Sequence, residues 1–350
     1  MPLYNHCAYV QAAIDSILAQ SFGNFELIIC NDGSTDSSLD VVLGFRDERI
    51  KVINKPNGGT VSALNSCLIS SHAKMICWLS SDDIFSIDKL KSHYRHHSSR
   101  PDSLISIAPY GYLRGNTLES DQQVRPSDFG RLAQFSEGCY INGLSVCSHR
   151  QLFTHYGLFD SRYRYAHDAE RWFKFFRWQR PFYLDGPPQS YTRVGTGTTP
   201  DAGLLGLLDM VRFLCFEINS HGLECLIPEH DFERPSTSQI VQEFLGKVLN
   251  ENGLFYRFHL KDFIIDAVAS WLLKNDFRED IIDFVRMEKS QNNEVLSDCL
   301  VRGVEDAHSI AIGMSVGRKS NFLEHLIGLR NMVTVPAQRD IIDTYLRKGL

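Results

Sequence analysis

An α/β fold, with a mainly parallel sheet flanked by helices, is the class this sequence predicts, and three observations carry it. Short apolar runs of strand length alternate along the first 199 residues with segments whose apolar positions recur at helical spacing. Strand, helix, strand in that order requires crossover connections, which favour parallel pairing. Small and acidic residues follow two of the runs, at Asn31-Asp32-Gly33 and Ser80-Ser81-Asp82-Asp83, where an open parallel sheet gathers its ligands.

The elements follow in order. Met1-Pro2-Leu3-Tyr4-Asn5-His6 reads as the end of a strand and its loop, with the start of that strand truncated, which would leave a central sheet position unfilled. Residues 9–19 have helical spacing in Val10, Ala13, Ile14, Ile17 and Leu18, and 25–30 is a buried strand that stops at Asn31-Asp32. A helix over 38–45 and a strand over 50–53 come next, and Asn57-Gly58-Gly59-Thr60 turns into a helix over 61–69. The run Ile76-Cys77-Trp78-Leu79 reads as a strand buried on both faces, and two adjacent carboxylates, Asp82 and Asp83, stand where it stops. Like charges side by side are unfavourable unless a cation is shared between them, and hard oxygen donors suit Mg²⁺ or Mn²⁺ carrying a phosphate ligand. The competing reading is a cap, with Asp82 or Asp83 starting a helix near Ile84 that runs through Tyr94.

Strands are expected over 104–107 and 110–113, followed by a polar, loop-rich stretch over 114–135. Order returns over 139–147, with a helix over 149–156 closed by Gly157. An aromatic helix containing Trp172, Phe173, Phe175 and Phe176 stops before Pro181, and late strands cover 182–184 and 190–193. After Pro200 helical stripes repeat, at Ile240, Val241, Phe244 and Leu245, at Phe263, Ile264, Ala267 and Val268, and at Ile281, Ile282 and Val285. The reading is therefore an α/β domain over 1–199 and an α-helical C-terminal region over 200–350.

A chain of 350 residues with 43% hydrophobic and 22% charged residues can bury a sizeable core. A net charge of −6 gives no footprint for nucleic acid, so any phosphate recognition must be local. Nine cysteines without a C-x-x-C pair or zinc-ligand spacing point to free thiols and a reducing, cytoplasmic setting. The longest apolar stretch, 204–216, is interrupted by Asp209 and Arg212 and falls short of the roughly 20 residues a spanning helix needs. No transmembrane segment is expected, which leaves at most peripheral contact with the cytoplasmic face of a membrane. His93, His96 and His97 lie near a helix end and read as solvated or dipole-stabilised rather than as ligands.

Taken together the motifs resemble the inverting glycosyltransferases of family 2, over about residues 1–199. Pro2-Leu3-Tyr4-Asn5 resembles the family's P-x-Y-N, and Asn31-Asp32-Gly33-Ser34-Thr35-Asp36 its D-D-G-S-x-D, with Asn31 in place of the first aspartate and Asp32 in the base-recognising position. Asn57, Gly59 and Asn65 fall on N-x-G and A-x-N, and Leu79-Ser80-Ser81-Asp82-Asp83 is similar to L-D-x-D-D with Ser80 replacing its first aspartate. Gly157-Leu158-Phe159-Asp160 resembles G-x-F-D, and His167-Asp168-Ala169-Glu170-Arg171-Trp172 resembles E-D-x-E-L-W, whose aspartate is the family's catalytic base. Tyr191 to Gly195 resembles a closing Y-R-x-H, with Gly195 where a histidine often helps to hold metal or phosphate.

The resemblance implies the Rossmann-like GT-A fold and a nucleotide-diphosphate sugar donor, with a UDP-sugar expected. It further implies a glycan or lipid-linked acceptor, a Mn²⁺ or Mg²⁺ cofactor at Asp83, Asp168 as catalytic base, and a nucleotide-sugar site at Pro2, Leu3, Tyr4, Asp32, Asn57, Gly59 and Asp82. Inverting transfer needs one general base and one electrophile on the leaving phosphate, which Asp168 and an Asp83-bound cation would supply. The bland alternatives are an N-cap for Asp168 and an Asx-turn for Asp32. A Q-x-x-R-W signature of processive synthases is not completed, because Lys174 holds the Gln position before Arg177-Trp178. The reading is accordingly a nonprocessive enzyme. The alternative is a degenerate transferase-like nucleotide-binding or scaffold module, favoured by Ser80, His167 and Gly195.

Overall fold

The computed structural model describes residues 1–120, 141–196 and 202–221, together with Ile327, Asp343 and Arg347. The chain divides into two compact units, one formed by Met1–Ser127 with Ile141–Pro200 and the other by Asp128–Tyr140 with Asp201–Leu350. The helical stripes expected between 240 and 285 lie outside the described residues. The second unit's described element is a helix over Ala202–His221, on which Val211, Phe213, Leu214 and Ile218 are buried. Among the described residues no helix is long and apolar enough to cross a membrane.

The first unit opens with β1 (Pro2–Leu3), α1 (Val10–Leu18), β2 (Leu27–Asp32), α2 (Ser38–Gly44), β3 (Ile50–Lys55) and α3 (Thr60–Ser70). β1, β2 and β3 form a wholly parallel sheet in that order, with Leu3 opposite Asn31 and Asp32 opposite Lys55. The apolar face of α1 explains its position: Val10, Ala13, Ile14 and Ile17 are buried against Leu3, Leu27, Ile29 and Val42. β2 runs two residues further than the sequence suggests. Asn31 and Asp32 are its last rungs rather than the start of a loop, because pairing with Asn54 and Lys55 of β3 satisfies their backbones.

The run expected to be a strand buried on both faces is instead β4, Met75–Cys77, partly buried and paired antiparallel to Val146–His149, here β9. Residues Ile84–Phe85 are not helical: they form β5, and helix α4 begins only at Lys89 and ends at Ser99, with Asp88 in the N-cap position. The cap reading for Asp82 and Asp83 is thereby removed, since no helix starts beside them. Their segment is held extended because β5 pairs with β11 (Ser190–Arg193), Phe85 opposite Ser190. Strand β8, Thr117–Ser120, lies within the stretch read as loop. It hairpins onto β7 (Tyr110–Arg114) through a turn at Gly115, whose φ of 58° no β-branched residue takes readily.

A second sheet runs in the order β10 (Phe182–Tyr183), β6 (Ile105–Ile107), β9, β4, and a third in the order β5, β11, β7, β8. Helices α5 (Arg150–Tyr156) and α6 (His167–Trp178) bury Leu152, Phe153, Trp172 and Phe175 in a cluster with Ile105, Ile107, Val146 and Phe159. Gly157 follows α5 with φ 82°, a conformation open to glycine. A cavity of about 470 Å³ separates β2 from β4, lined by Leu27, Met75, Ile76, Trp78 and Val146 among others.

Histidines 93, 96 and 97 correct the expectation of solvated side chains. His93 and His96 are buried on the face of α4 that packs on the second sheet, because helical spacing sets them beside the buried Lys89. Among the described residues six cysteines are free, of which Cys30, Cys147 and Cys215 are buried.

Candidate active site

Three chain segments meet beyond the ends of β1, β2 and β4. After β1, Asn5 adopts a left-handed φ of 53°, and its side-chain oxygen accepts the Thr35 N–H (2.8 Å) while its own N–H donates to Ser34 Oγ (3.0 Å). His6 Nδ1 lies 2.7 Å from Ser81 Oγ and 3.9 Å from Asp82 Oδ1. The loop that begins with Pro2-Leu3-Tyr4 thus ties the turn after β2 to the aspartate pair.

The nominated residues play unequal parts. Tyr4 is exposed, whereas the Leu3 side chain is buried in the core and Leu3 can offer a ligand only its main chain. Asp32 is buried, and its carboxylate is fully engaged: it pairs with Lys55 and accepts the N–H groups of Gly58 (3.0 Å) and Gly59 (2.7 Å). It therefore fixes the Asn57–Gly59 turn over the end of β2. Gly33 has φ 71°, and a Cβ there would fall 2.7 Å from the Asn57 nitrogen, so only glycine lets the two turns approach. Asn57 itself is exposed. Asn65, one turn into α3, clamps Phe159 with a bond in each direction (2.8 and 3.0 Å), which joins two of the sequence motifs structurally.

Asp82 and Asp83 are both buried. Arg193 N–H donates to Asp83 Oδ1 (2.8 Å), Arg193 Nε–H to the Asp82 carbonyl (3.0 Å), and Thr196 Oγ1–H to Asp82 Oδ2 (2.7 Å). The Arg193 guanidinium also lies over the Tyr9 ring, 4.8 Å from its centroid. Burial first, and the Asp82 charge second, raise Asp83 to about 7 against the Arg193 hydrogen bond that favours its anion. A buried carboxylate pair disfavoured in this way, made only of hard oxygen donors, fits a divalent ion such as Mn²⁺ or Mg²⁺. Arg193, Thr196 and His6 were not nominated from sequence. Their signal was present in Arg193, inside the closing motif, and in His6, directly after P-x-Y-N.

Asp168 is the second residue of α6 and buried, with Ala166 at the N-cap position, and its Oδ1 accepts the Ala169 N–H (2.8 Å). The preceding His167 ring lies 5.7 Å from the Trp78 ring and 5.8 Å from Phe159, which sets the start of α6 against the segment leading to Ser80. Gly143 passes over the Trp78 indole so closely that a Cβ would overlap the ring. The Trp78 indole N–H and His167 Nε2 are buried with no hydrogen-bond partner among the described residues. Glu170 turns the other way, held by Lys174 (2.7 Å) and Arg171 (3.2 Å). Arg171, buried where the resemblance has leucine, donates to the carbonyls of Tyr156 (2.8 Å) and Leu158 and so fixes the connection between α5 and α6.

Residues 1–153 match the model of Glycosyl transferase family 2. An uncharacterized glycosyltransferase of Rickettsia prowazekii is 32% identical over 216 residues, covering 58% of this chain and 65% of that protein. The UDP-Glc:alpha-D-GlcNAc-diphosphoundecaprenol beta-1,3-glucosyltransferase WfgD of Escherichia coli is 39% identical over 92 residues, 26% of this chain and 36% of that enzyme. The match thus spans less than two thirds of either relative. Among solved structures, S. aureus TarS 1–349 in complex with UDP superposes with a TM-score of 0.54 at 16% identity, over 100% of this chain and 90% of that one. The mannosyltransferase PcManGT of Pyrobaculum calidifontis, with GDP-Man and Mn²⁺, gives 0.50 at 14% identity over 83% and 78%. At these identities the structural likeness is one of fold.

Proposed function

Residues 1–153 belong to glycosyl transferase family 2, and from that premise we propose that the protein is an inverting, nonprocessive glycosyltransferase. It moves a sugar from a nucleoside-diphosphate donor to a hydroxyl of a glycan or lipid-linked acceptor. The observation that carries this reading is the buried Asp82–Asp83 pair at the end of β4, backed by Arg193 and facing the loops after β1 and β2. Asp82 and Asp83 would hold Mn²⁺ or Mg²⁺, whose chemistry is to offset the charge that develops on the departing diphosphate. Arg193, fixed by Asp82 and Tyr9, adds a cation at the same place. Tyr4, Asp32, Asn57 and Gly59, with the main chain of Pro2 and Leu3, form the nucleotide end. Asp32 acts there by shaping the Asn57–Gly59 turn. A UDP-sugar is the expected donor, in keeping with the E. coli relative whose name specifies UDP-glucose.

Asp168 takes the proton of the acceptor hydroxyl. As that oxygen bonds to the anomeric carbon, the bond to the diphosphate oxygen breaks on the opposite face, and the configuration inverts. Asp168→Asn keeps the size of the side chain and its bond to Ala169, so it isolates the charge. The expected result is a transfer rate lower by about 10²-fold or more with donor Kd nearly unchanged. Near-normal turnover in this variant, or a product of retained configuration, would remove Asp168 from the role. Nucleotide binding without turnover in the parent would favour the scaffold reading.

A further inference from the structure

We propose that the core beneath the aspartate pair contains a second metal site, for a soft divalent ion of the zinc type, held by His93, His97 and Cys147. One ring nitrogen of each histidine and the Cys147 sulfur lie within 4.8 Å of one another. No spacing in the sequence announces the group, because the fold assembles it from a helix and a strand about 50 residues further on. His93 and His97 stand one turn apart on α4. Cys147 lies in register with Ser106 of β6 on one side and Cys77 of β4 on the other. Tetrahedral zinc, with bonds of about 2.0–2.1 Å to nitrogen and 2.3 Å to sulfur, needs such donors roughly 3.3–3.8 Å apart, a contraction of about 1 Å from the observed limit.

The surroundings suit ligands better than they suit an apolar core. His97 Nδ1 donates to the Ser103 carbonyl (2.8 Å), which fixes the tautomer and leaves Nε2 as a lone-pair donor, the usual support of a metal-bound imidazole. Ser106 Oγ stands 2.8 Å from His97 Nε2 and 2.7 Å from His93 Nδ1, bridging the two rings. His93, Ser106 and Cys147 are at most 2% exposed. Cys77 is in register with Cys147 across β4 and β9 but lies outside the three-residue group, which would leave the fourth position to a water molecule. Lys89 Nζ lies 3.3 Å from His93 Nε2. Binding would release the Cys147 thiol proton to solvent, leaving a metal-bound thiolate. Because β4 leads into Asp82-Asp83 and α4 leads away from them, the ion would clamp both arms of the aspartate turn.

The test is metal analysis of the full chain, purified without a polyhistidine tag and reconstituted with Zn²⁺ or Co²⁺. The expected result is about one zinc per chain, retained in Asp83→Asn but lost in the His97→Gln/Cys147→Ser double variant. Thiolate-to-cobalt charge-transfer absorption is expected in the parent. Zinc that persists in the double variant, or a cobalt complex without that absorption, would overturn the proposal, as would a chain that binds no zinc and gains no thermal stability from it. The cobalt spectrum of the parent decides the matter even if the double variant does not fold.

Discussion

Asp83 is placed where stability and metal binding pull in opposite directions. Its ionised form is disfavoured by burial and by Asp82, so Asp83→Asn should leave the metal-free fold at least as stable at pH 8 as the parent while abolishing Mn²⁺-dependent nucleotide binding. Paired melting curves and titration calorimetry check this. A variant that unfolds, or one that keeps its metal dependence, would show that Asp83 serves the fold and not the ion. The place of this candidate site was legible in sequence because two adjacent carboxylates follow an apolar run. What was not legible was the division of labour among polar residues. Asp32 and Asn65 sit in motifs that look like ligand contacts, yet one carboxylate is spent on Lys55, Gly58 and Gly59 and the other residue's amide on Phe159. A one-dimensional pattern cannot tell a residue that touches substrate from one that shapes the loop that does.

At the level of elements, two polar side chains fix connections that apolar patterning leaves open. Glu26, just before β2, accepts the N–H groups of His72 (2.6 Å) and Ala73 (3.1 Å) after α3 and pairs with Lys51 (2.7 Å). Although burial works against its anion, these partners prevail and bring its carboxyl to about 2. A depressed native value means that this contribution is complete above the ordinary value of about 4.5 and is lost as pH falls toward about 2. Glu26→Gln should therefore cost about 1–2 kcal/mol near neutrality, with the gap to the parent closing between those pH values in urea melts. Arg171→Leu restores the residue of the motif but strips the Tyr156 and Leu158 carbonyls and leaves Glu170 with Lys174 alone. A loss of about 3–5 kcal/mol is expected, and a loss under about 1 kcal/mol in the same assay would mean that water replaces the guanidinium. Helices α1, α3, α5 and α6 were readable because each carries an apolar stripe of its own. The β4–β5 region was not, because its pairing with β9 and β11 is set by residues about 70 to 107 positions away in sequence, and strands of two or three residues leave no periodicity to detect.

Across the first unit, the proposed site draws on residues from Pro2 to Thr196, so occupancy by donor should be felt as stability of that unit and not as a local change. A ligand that binds only the folded chain stabilises it by about 2.7 kcal/mol at 100-fold excess over Kd. For a unit of this size that corresponds to a rise in melting temperature of about 5–10 °C, taking about 2–4 °C per kcal/mol. UDP with Mn²⁺ should give the larger shift, GDP a smaller one, and UDP with chelator less than UDP with metal, since the diphosphate then meets two buried carboxylates with Arg193 as its nearby cation. The same series in Asp83→Asn should lose the difference between metal and chelator while keeping whatever shift the nucleoside alone produces at Tyr4 and the Asn57–Gly59 turn. Equal shifts from UDP with and without metal would separate nucleotide recognition from the aspartate pair. A chain whose melting temperature responds to no nucleotide at any concentration would leave the fold in place and remove the donor site from it.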